Sequence, residues 1–269
     1  MDTRQAIWAK ANRMAQRPSS KTALSVARRL SHPRVPWSTP PLVADVQNYQ
    51  HRRLNHGAKP ATINREVGFA RAACREAGIA WPQVRGLREK PKTRVLTRDE
   101  YEKIEAALPP WPKHLAIVLV GTGMRIGEAL HLLAGDIKYE FVTGRVEFMV
   151  RDPKEGDDKL VIGGKAAGLA ASWLYRNSGE VGLGRPDSTP QADHDLFAYH
   201  LSRACEATGV QHTTPHDLRR TFGSWALDAG ATLEQVAQCL GHRSVDTTRR
   251  CYGRIDPATR AKVAGLVMP

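Results

Sequence analysis

The chain has 269 residues, 41% of them hydrophobic, enough for one large or two modest domains, and its longest apolar run, Leu115 to Val120, is far too short to span a bilayer. The formal net charge of +13 is segregated: residues 1–95 carry 19 Lys+Arg against 5 Asp+Glu, whereas residues 96–269 carry 21 against 22. That asymmetry points to nucleic acid gripped by the first third, and four scattered cysteines (Cys74, Cys205, Cys239, Cys251) without a Cys-x-x-Cys pair argue against zinc and a disulfide framework.

Arginines near the N-terminus are not followed by an apolar stretch and a small-residue cleavage site, so no signal peptide is expected. Residues 2–16 and 20–31 read as two basic helices separated by Arg17-Pro18-Ser19, and a Pro-rich stretch from His32 to Pro41 interrupts the pattern. Thr39 is expected to cap a helix through Tyr49 and His51 that ends near Gly57. Pro60-Ala61-Thr62 opens a fourth helix, in which Ile63, Val67, Ala70 and Cys74 keep the 3.6-residue period until Gly78 stops it. Four basic helices make a small DNA-gripping bundle, with Arg52, Arg53, Lys59, Thr62, Arg65 and Arg71 as candidate contacts. Residues 81–94, basic and Pro-bearing, read as an interdomain linker that adds Lys90, Lys92 and Arg94, which places the domain division at 1–92 and 93–269.

Thr97-Arg98-Asp99-Glu100 is a capping box opening the second domain. An apolar helix around 113–120 ends in Gly121-Thr122-Gly123, and Arg125 is expected to open a further helix through Leu133, with Glu128 one turn on to pin its guanidinium. Alternating Val142, Val146, Phe148 and Val150 around Thr143-Gly144, then Leu160-Val161-Ile162 after a turn at 152–158, read as strands. Lys154 sits at that turn's tip, with Lys159 a rival five residues on. Residues 164–176 read as a core helix, 179–193 as a flexible loop, and a helix begins at His194 or Asp195 and runs to Thr208.

The segment 215–254, PHDLRRTFGSWALDAGATLEQVAQCLGHRSVDTTRRCYGR, carries most of the chemistry. Pro215 opens a helix on which His216 and Arg219 stand three apart on one face, and Thr232 caps another that ends at Leu240 and Gly241, leaving His242 at its exit. Ser244 caps a third, short helix with Tyr252 at its far end, and a last helix from Asp256 runs to Val267. Arginines offer planar forks matched to phosphate oxygens, histidines exchange protons near neutral pH, and a tyrosine hydroxyl can act as nucleophile beside them. Handling a phosphodiester is the job such a set suits.

His216-Asp217-Leu218-Arg219-Arg220-Thr221-Phe222, then Leu240-Gly241-His242-Arg243-Ser244, then Tyr252 resemble the C-terminal signature of the tyrosine recombinases, the phage integrase family. Gly121-Thr122-Gly123-Met124-Arg125-Ile126-Gly127-Glu128 matches its upstream arginine block, and Lys154 its hairpin lysine. The resemblance covers residues 97–256 well and 39–92 weakly, and Gly253-Arg254 departs from the histidine often found two residues after the nucleophile. It implies a mainly α fold with a small antiparallel β-sheet, in which a helical core-binding domain and an α+β catalytic domain form a C-shaped clamp on DNA. It further implies Tyr252 as nucleophile, Arg125 and Arg219 as a phosphate clamp, Lys154 as donor to the leaving 5′-oxygen, and His216 and His242 as supporting groups, with no metal, ATP or other cofactor. The expected partners are double-stranded DNA core sites, in a homotetramer on two synapsed sites formed from free monomers, with accessory directionality or DNA-bending proteins and no membrane. The expected setting is the prokaryotic cytoplasm and its nucleoid, and the expected role is integration or excision of a phage or other mobile element. A chromosome-dimer resolvase or transposon recombinase would share these residues, and a non-catalytic DNA-binding regulator on the same scaffold is the alternative from another class.

Overall fold

Short basic helices wrap a small alanine-rich core in the first part of the chain. They are α1 (Thr3–Ala15), α2 (Lys21–Leu30), α3 (Val43–Asn55) and α4 (Pro60–Glu76). Ile7, Ala11, Ala27, Leu30, Tyr49 and Ala70 interlock at their centre, where the small side chains let helix axes approach closely. These helices belong to the first of two units, Met1–Pro91 and Lys92–Pro269. The structure, a computed structural model, describes residues 1–15, 21–32, 35, 37–89, 94–140, 142–151, 158–180, 182–241, 245, 248 and 249.

Among the described residues of the first unit, two carboxylates are buried, Asp45 and Glu66. Glu66 is 1% exposed and accepts hydrogen bonds from the Tyr49 hydroxyl at 2.8 Å and from the Arg53 fork at 2.9 and 3.1 Å. Burial, together with the hydrogen bond to Glu66, drives the Tyr49 phenol far above its usual range.

Two expectations for this unit need correction. Thr39 does not cap α3: its hydroxyl lies 3.2 Å from that of Thr3, and the Asp45 carboxylate takes the capping role by accepting from the Ser38 and Leu42 amides at 2.9 Å each. The first part of the linker folds back on its own unit. Asn64 bonds both the amide and the carbonyl of Leu87 at 2.8 Å, and the Trp81 ring sits 6.0 Å from Trp37.

In the second unit, α5 (Arg98–Ala107) begins at the Thr97–Glu100 capping box, where Glu100 N donates to Thr97 Oγ1 at 3.2 Å and Thr97 N to Glu100 Oε2 at 2.9 Å. It is followed by α6 (Pro110–Thr122), α7 (Ile126–Leu130), β1 (Ile137–Glu140), β2 (Arg145–Val150), β3 (Lys159–Gly163), α8 (Lys165–Asn177), α9 (Pro190–Thr208), α10 (Pro215–Asp228) and α11 (Leu233–Leu240). The strands form one antiparallel sheet in sequence order, with Ile137 opposite Phe148 and Phe148 opposite Val161. Alternation puts Val146, Phe148 and Val150 on the covered side, against a core that includes Leu115, Leu119, Leu174, Phe197 and Leu218. Among the described residues, no helix is long and apolar enough to cross a membrane.

The helix after Arg125 stops at Leu130, short of the expected Leu133. Asp136 accounts for the stop: its carboxylate accepts from Leu133 N at 3.1 Å and from Arg151 Nε at 2.5 Å, and so turns the chain toward β1. The helix expected from His194 or Asp195 begins earlier, at Pro190, because Thr189 caps it by accepting from Ala192 N at 3.2 Å. Asp193 therefore lies inside α9, where it holds Arg185 through both the backbone amide at 2.9 Å and Nε at 2.7 Å.

Candidate active site

The site begins where α6 ends. Gly123 closes that helix in the left-handed conformation at φ +69°, and a Cβ there would lie 2.4 Å from Phe222 Cδ1 and 2.9 Å from Leu240 Cδ2. Only glycine fits both the turn and the space. The reversal leaves Arg125 at the residue before α7, with Glu128 in the first turn of that helix. Glu128 Oε2 accepts from Arg125 N at 2.9 Å, and Oε1 accepts from Arg125 Nη1 at 2.6 Å. Both ends of Arg125 are thereby fixed by one carboxylate, and its side chain stays 26% exposed.

Arg219 enters from α10. That helix is started by Pro215 and by Asp217, whose Oδ2 accepts from Thr214 N at 2.9 Å and from Thr214 Oγ1 at 2.6 Å. The Arg219 side chain is only 2% exposed, donates from Nη1 to the Gly123 carbonyl at 2.7 Å and from Nη2 to the Leu240 carbonyl, and lies 3.9 Å from Glu128 Oε2. One guanidinium thus ties the ends of α6 and α11 to the Arg125–Glu128 pair. Burial pushes the Glu128 carboxyl up, but its hydrogen bonds from Arg125 and the charges of Lys159 and Arg219 more than offset this and hold it below the ordinary value.

His216, one turn before Arg219, is exposed on its outer side. Partial burial and the charges of Arg220 and Arg219 lower its pKa, so the imidazole is mainly neutral near pH 7 and has a lone pair to accept a proton. Lys154, His242 and Tyr252, three of the six expected catalytic residues, lie outside the described residues, as does Cys251. Arg125, Arg219 and His216 are brought together from segments about ninety residues apart in sequence.

Lys159 was legible only as a rival to Lys154, yet it belongs to this cluster. It opens β3, and its Nζ is buried with no hydrogen-bond partner among the described residues. A Cβ on Gly241 would lie 3.3 Å from that Nζ, and Glu128, Arg219 and Arg125 all act on its charge. Nothing local in the sequence marks it, because the enclosure is made by α7, α10 and the end of α11.

The expected DNA contacts divide. Lys59, Arg65 and Arg71 are exposed, the last two on α4, while Thr62 is partly covered on its first turn. Arg52 lies in the last turn of α3, partly covered. Arg53 turns inward and its fork is occupied by Glu66, and Arg94 is held by Glu100 at 2.9 and 3.2 Å. Lys90 and Lys92 lie outside the described residues. Among the described residues no three His, Cys, Asp or Glu side chains gather closely enough to hold a metal ion.

Two guanidiniums, one of them partly exposed, meet around one carboxylate with a neutral imidazole alongside. Such a set can bind a phosphate group by charge-assisted hydrogen bonds and accept a proton from a nucleophile. Comparison with known proteins agrees in kind. The chain matches the model of the phage integrase family over residues 94–258. It is 32% identical over 165 residues to tyrosine recombinase XerC of Corynebacterium efficiens, covering 57% of this chain and 47% of that protein. It is 26% identical over 212 residues to the integrase of Escherichia phage P2, covering 76% and 58% respectively. The chain spans less than two thirds of the length of these curated relatives. Among solved structures, the Tn1549 transposon integrase in complex with a circular intermediate DNA matches with a TM-score of 0.78 at 16% identity over 99% of each chain. A lambda integrase dimer bound to a core site matches at 0.73 and 20% over 95% of this chain and 98% of that one. At those identities the likeness is one of fold.

Proposed function

Because the chain belongs to the phage integrase family, we propose that it is a site-specific DNA recombinase that cuts and rejoins strands at short core sites through a 3′-phosphotyrosyl bond to Tyr252. The observation that carries this reading is the convergence of Arg125 and Arg219 on one carboxylate, two planar guanidinium forks matched to phosphate oxygens set side by side.

The Tyr252 oxygen attacks the scissile phosphorus while its proton passes to His216, whose depressed pKa suits a base near neutral pH. Arg125 and Arg219 hold the non-bridging oxygens as negative charge builds on them, and His242 adds a hydrogen bond. The bond to the 5′-oxygen breaks, and Lys154 supplies the proton that oxygen needs to leave as a hydroxyl. Attack by a 5′-hydroxyl of another strand reverses each step and reseals the DNA. The phosphotyrosine conserves the bond, so the cycle is balanced without ATP. Glu128 keeps Arg125 in place throughout. Residues 1–92 form the core-binding domain, in which the exposed Arg65 and Arg71 of α4 contact the phosphate backbone. Four copies act on two synapsed sites, the chain being a monomer when free, and the reaction integrates or excises a mobile element.

The test is covalent trapping. The protein and its Tyr252→Phe variant are incubated, in a chelator, with a nicked duplex carrying the junction sequence flanking its own coding region, and resolved on a denaturing gel. A shifted protein–DNA band with the wild type alone is expected. Equal bands from both proteins, or tight sequence-specific binding without any adduct on a site proven in cells, would overturn the assignment.

A further inference from the structure

Around Glu128 several cations gather among the described residues. One carboxylate faces three cations, Arg125, Arg219 and Lys159. The two arginines are held by hydrogen bonds to Glu128 and to the carbonyls of Gly123 and Leu240. The lysine is not: its ammonium is enclosed against the Gly241 turn with no acceptor among the described residues. An enclosed, unpartnered ammonium costs folding free energy, and a fold retains one where an incoming anion redeems it.

We propose that Lys159 is a positioning residue of the phosphate site, a third cation that acts through Glu128 and the Gly241 turn rather than by touching the reacting atoms. By offsetting the Glu128 carboxylate, it weakens the pull of that carboxylate on the two guanidiniums and adds positive charge to the cluster when the phosphodiester arrives. This rests on the recombinase reading above and adds to it a residue distinct from the hairpin lysine at 154. The groups facing the ammonium are Glu128 and Arg125 on or beside α7, Arg219 on α10 and Cys239 on α11. Burial pushes its pKa down to about 8, with Arg219 and Arg125 adding to the fall and Glu128 and Cys239 opposing it. The third charge is therefore lost as the pH rises through that value.

The experiment measures the rate of adduct formation on the nicked duplex from pH 6 to 9.5 for the wild type, Lys159→Met and Lys159→Arg, with thermal melting of each. Lys159→Met is expected to cleave about 10-fold to 100-fold more slowly below pH 8, less than the roughly 100-fold to 1,000-fold seen when a donor that itself touches the developing charge is lost. It should also melt no lower than the wild type, because a costly buried charge is gone. The wild type should lose rate as the pH passes about 8, and Lys159→Met should lack that step. Lys159→Arg, charged at every pH, should recover rate and shift the step upward. A Lys159→Met protein that folds, cleaves at the wild-type rate and keeps the alkaline step would overturn the proposal while leaving the recombinase reading intact. A wild type that forms no adduct on a proven site would overturn both.

Discussion

Gly123→Ala is the most informative single methyl group that can be added to this protein. The new Cβ would lie 2.4 Å from Phe222 Cδ1 and 2.9 Å from Leu240 Cδ2, on a backbone held at φ +69°. Forcing a left-handed conformation on an L-residue costs about 1–2 kcal/mol, and overpacking a filled site a further 1–3 kcal/mol or so. The expected loss is about 2–5 kcal/mol, which for a unit of this size lowers the melting temperature by roughly 5–15 °C. The carbonyl of the same residue accepts from Arg219 Nη1 at 2.7 Å, so the displacement also moves the proposed phosphate clamp, and adduct formation should fall further than stability alone explains at temperatures where the variant is folded. Gly127→Ala is the internal control: it lies on α7 with no heavy atom within 4 Å of its Cβ position, and it should be neutral or stabilising by up to about 1 kcal/mol. Melting followed by circular dichroism, paired with the trapping assay, reads both effects. A Gly123→Ala protein that melts within about one degree of the wild type and forms adduct normally would refute the packing argument.

Arg219→Ala and Arg125→Ala should both abolish the adduct but differ in stability. The first strands the Gly123 and Leu240 carbonyls and costs about 2–4 kcal/mol; the second removes a partly exposed group and costs about 1 kcal/mol or less by urea titration. In the first unit, Glu66→Ala removes the shared acceptor of Tyr49 and Arg53 and should lower stability by about 3–5 kcal/mol, whereas an exposed pair such as Lys103–Asp99 should be nearly silent when broken. Glu128 and Asp217 both have folded pKa values below the ordinary 4.5 and 3.8, against the opposing effect of burial, so the unfolded chain binds protons first. Their contribution is full above about pH 5 and is lost as the pH falls through the lower folded values, and a urea midpoint that stays flat from pH 6 to 3 would contradict it. Replacing Arg65 and Arg71 by alanine should reduce the slope of log affinity against log salt by about two, with little effect on the melting temperature.

Local features were readable in the sequence and distant ones were not. The Thr97–Glu100 box, the Gly123 reversal and the Arg125–Glu128 pair each depend on residues within four positions of one another, so spacing alone exposes them. Thr39 misled because a capping side chain is recognisable by type, but Asp45 competed for the same amides from inside the helix. Arg53 read as a DNA contact because its partner Glu66 sits on another helix, thirteen residues away. Lys159 could be named only as a rival in a hairpin, because three other elements create its enclosure.

Under the proposed mechanism, Arg219 serves the chemistry and the architecture with one side chain. A lineage that ceased to recombine DNA but still needed this fold would remain under pressure to keep it, since discarding it strands two carbonyls where helices meet. Arg125 is held differently, partly exposed and bonded to Glu128 at its own helix start. Decay of function in descendants of this chain should therefore be written first at Arg125 and last at Arg219, and the buried arginine alone is a record of ancestry more than of present work.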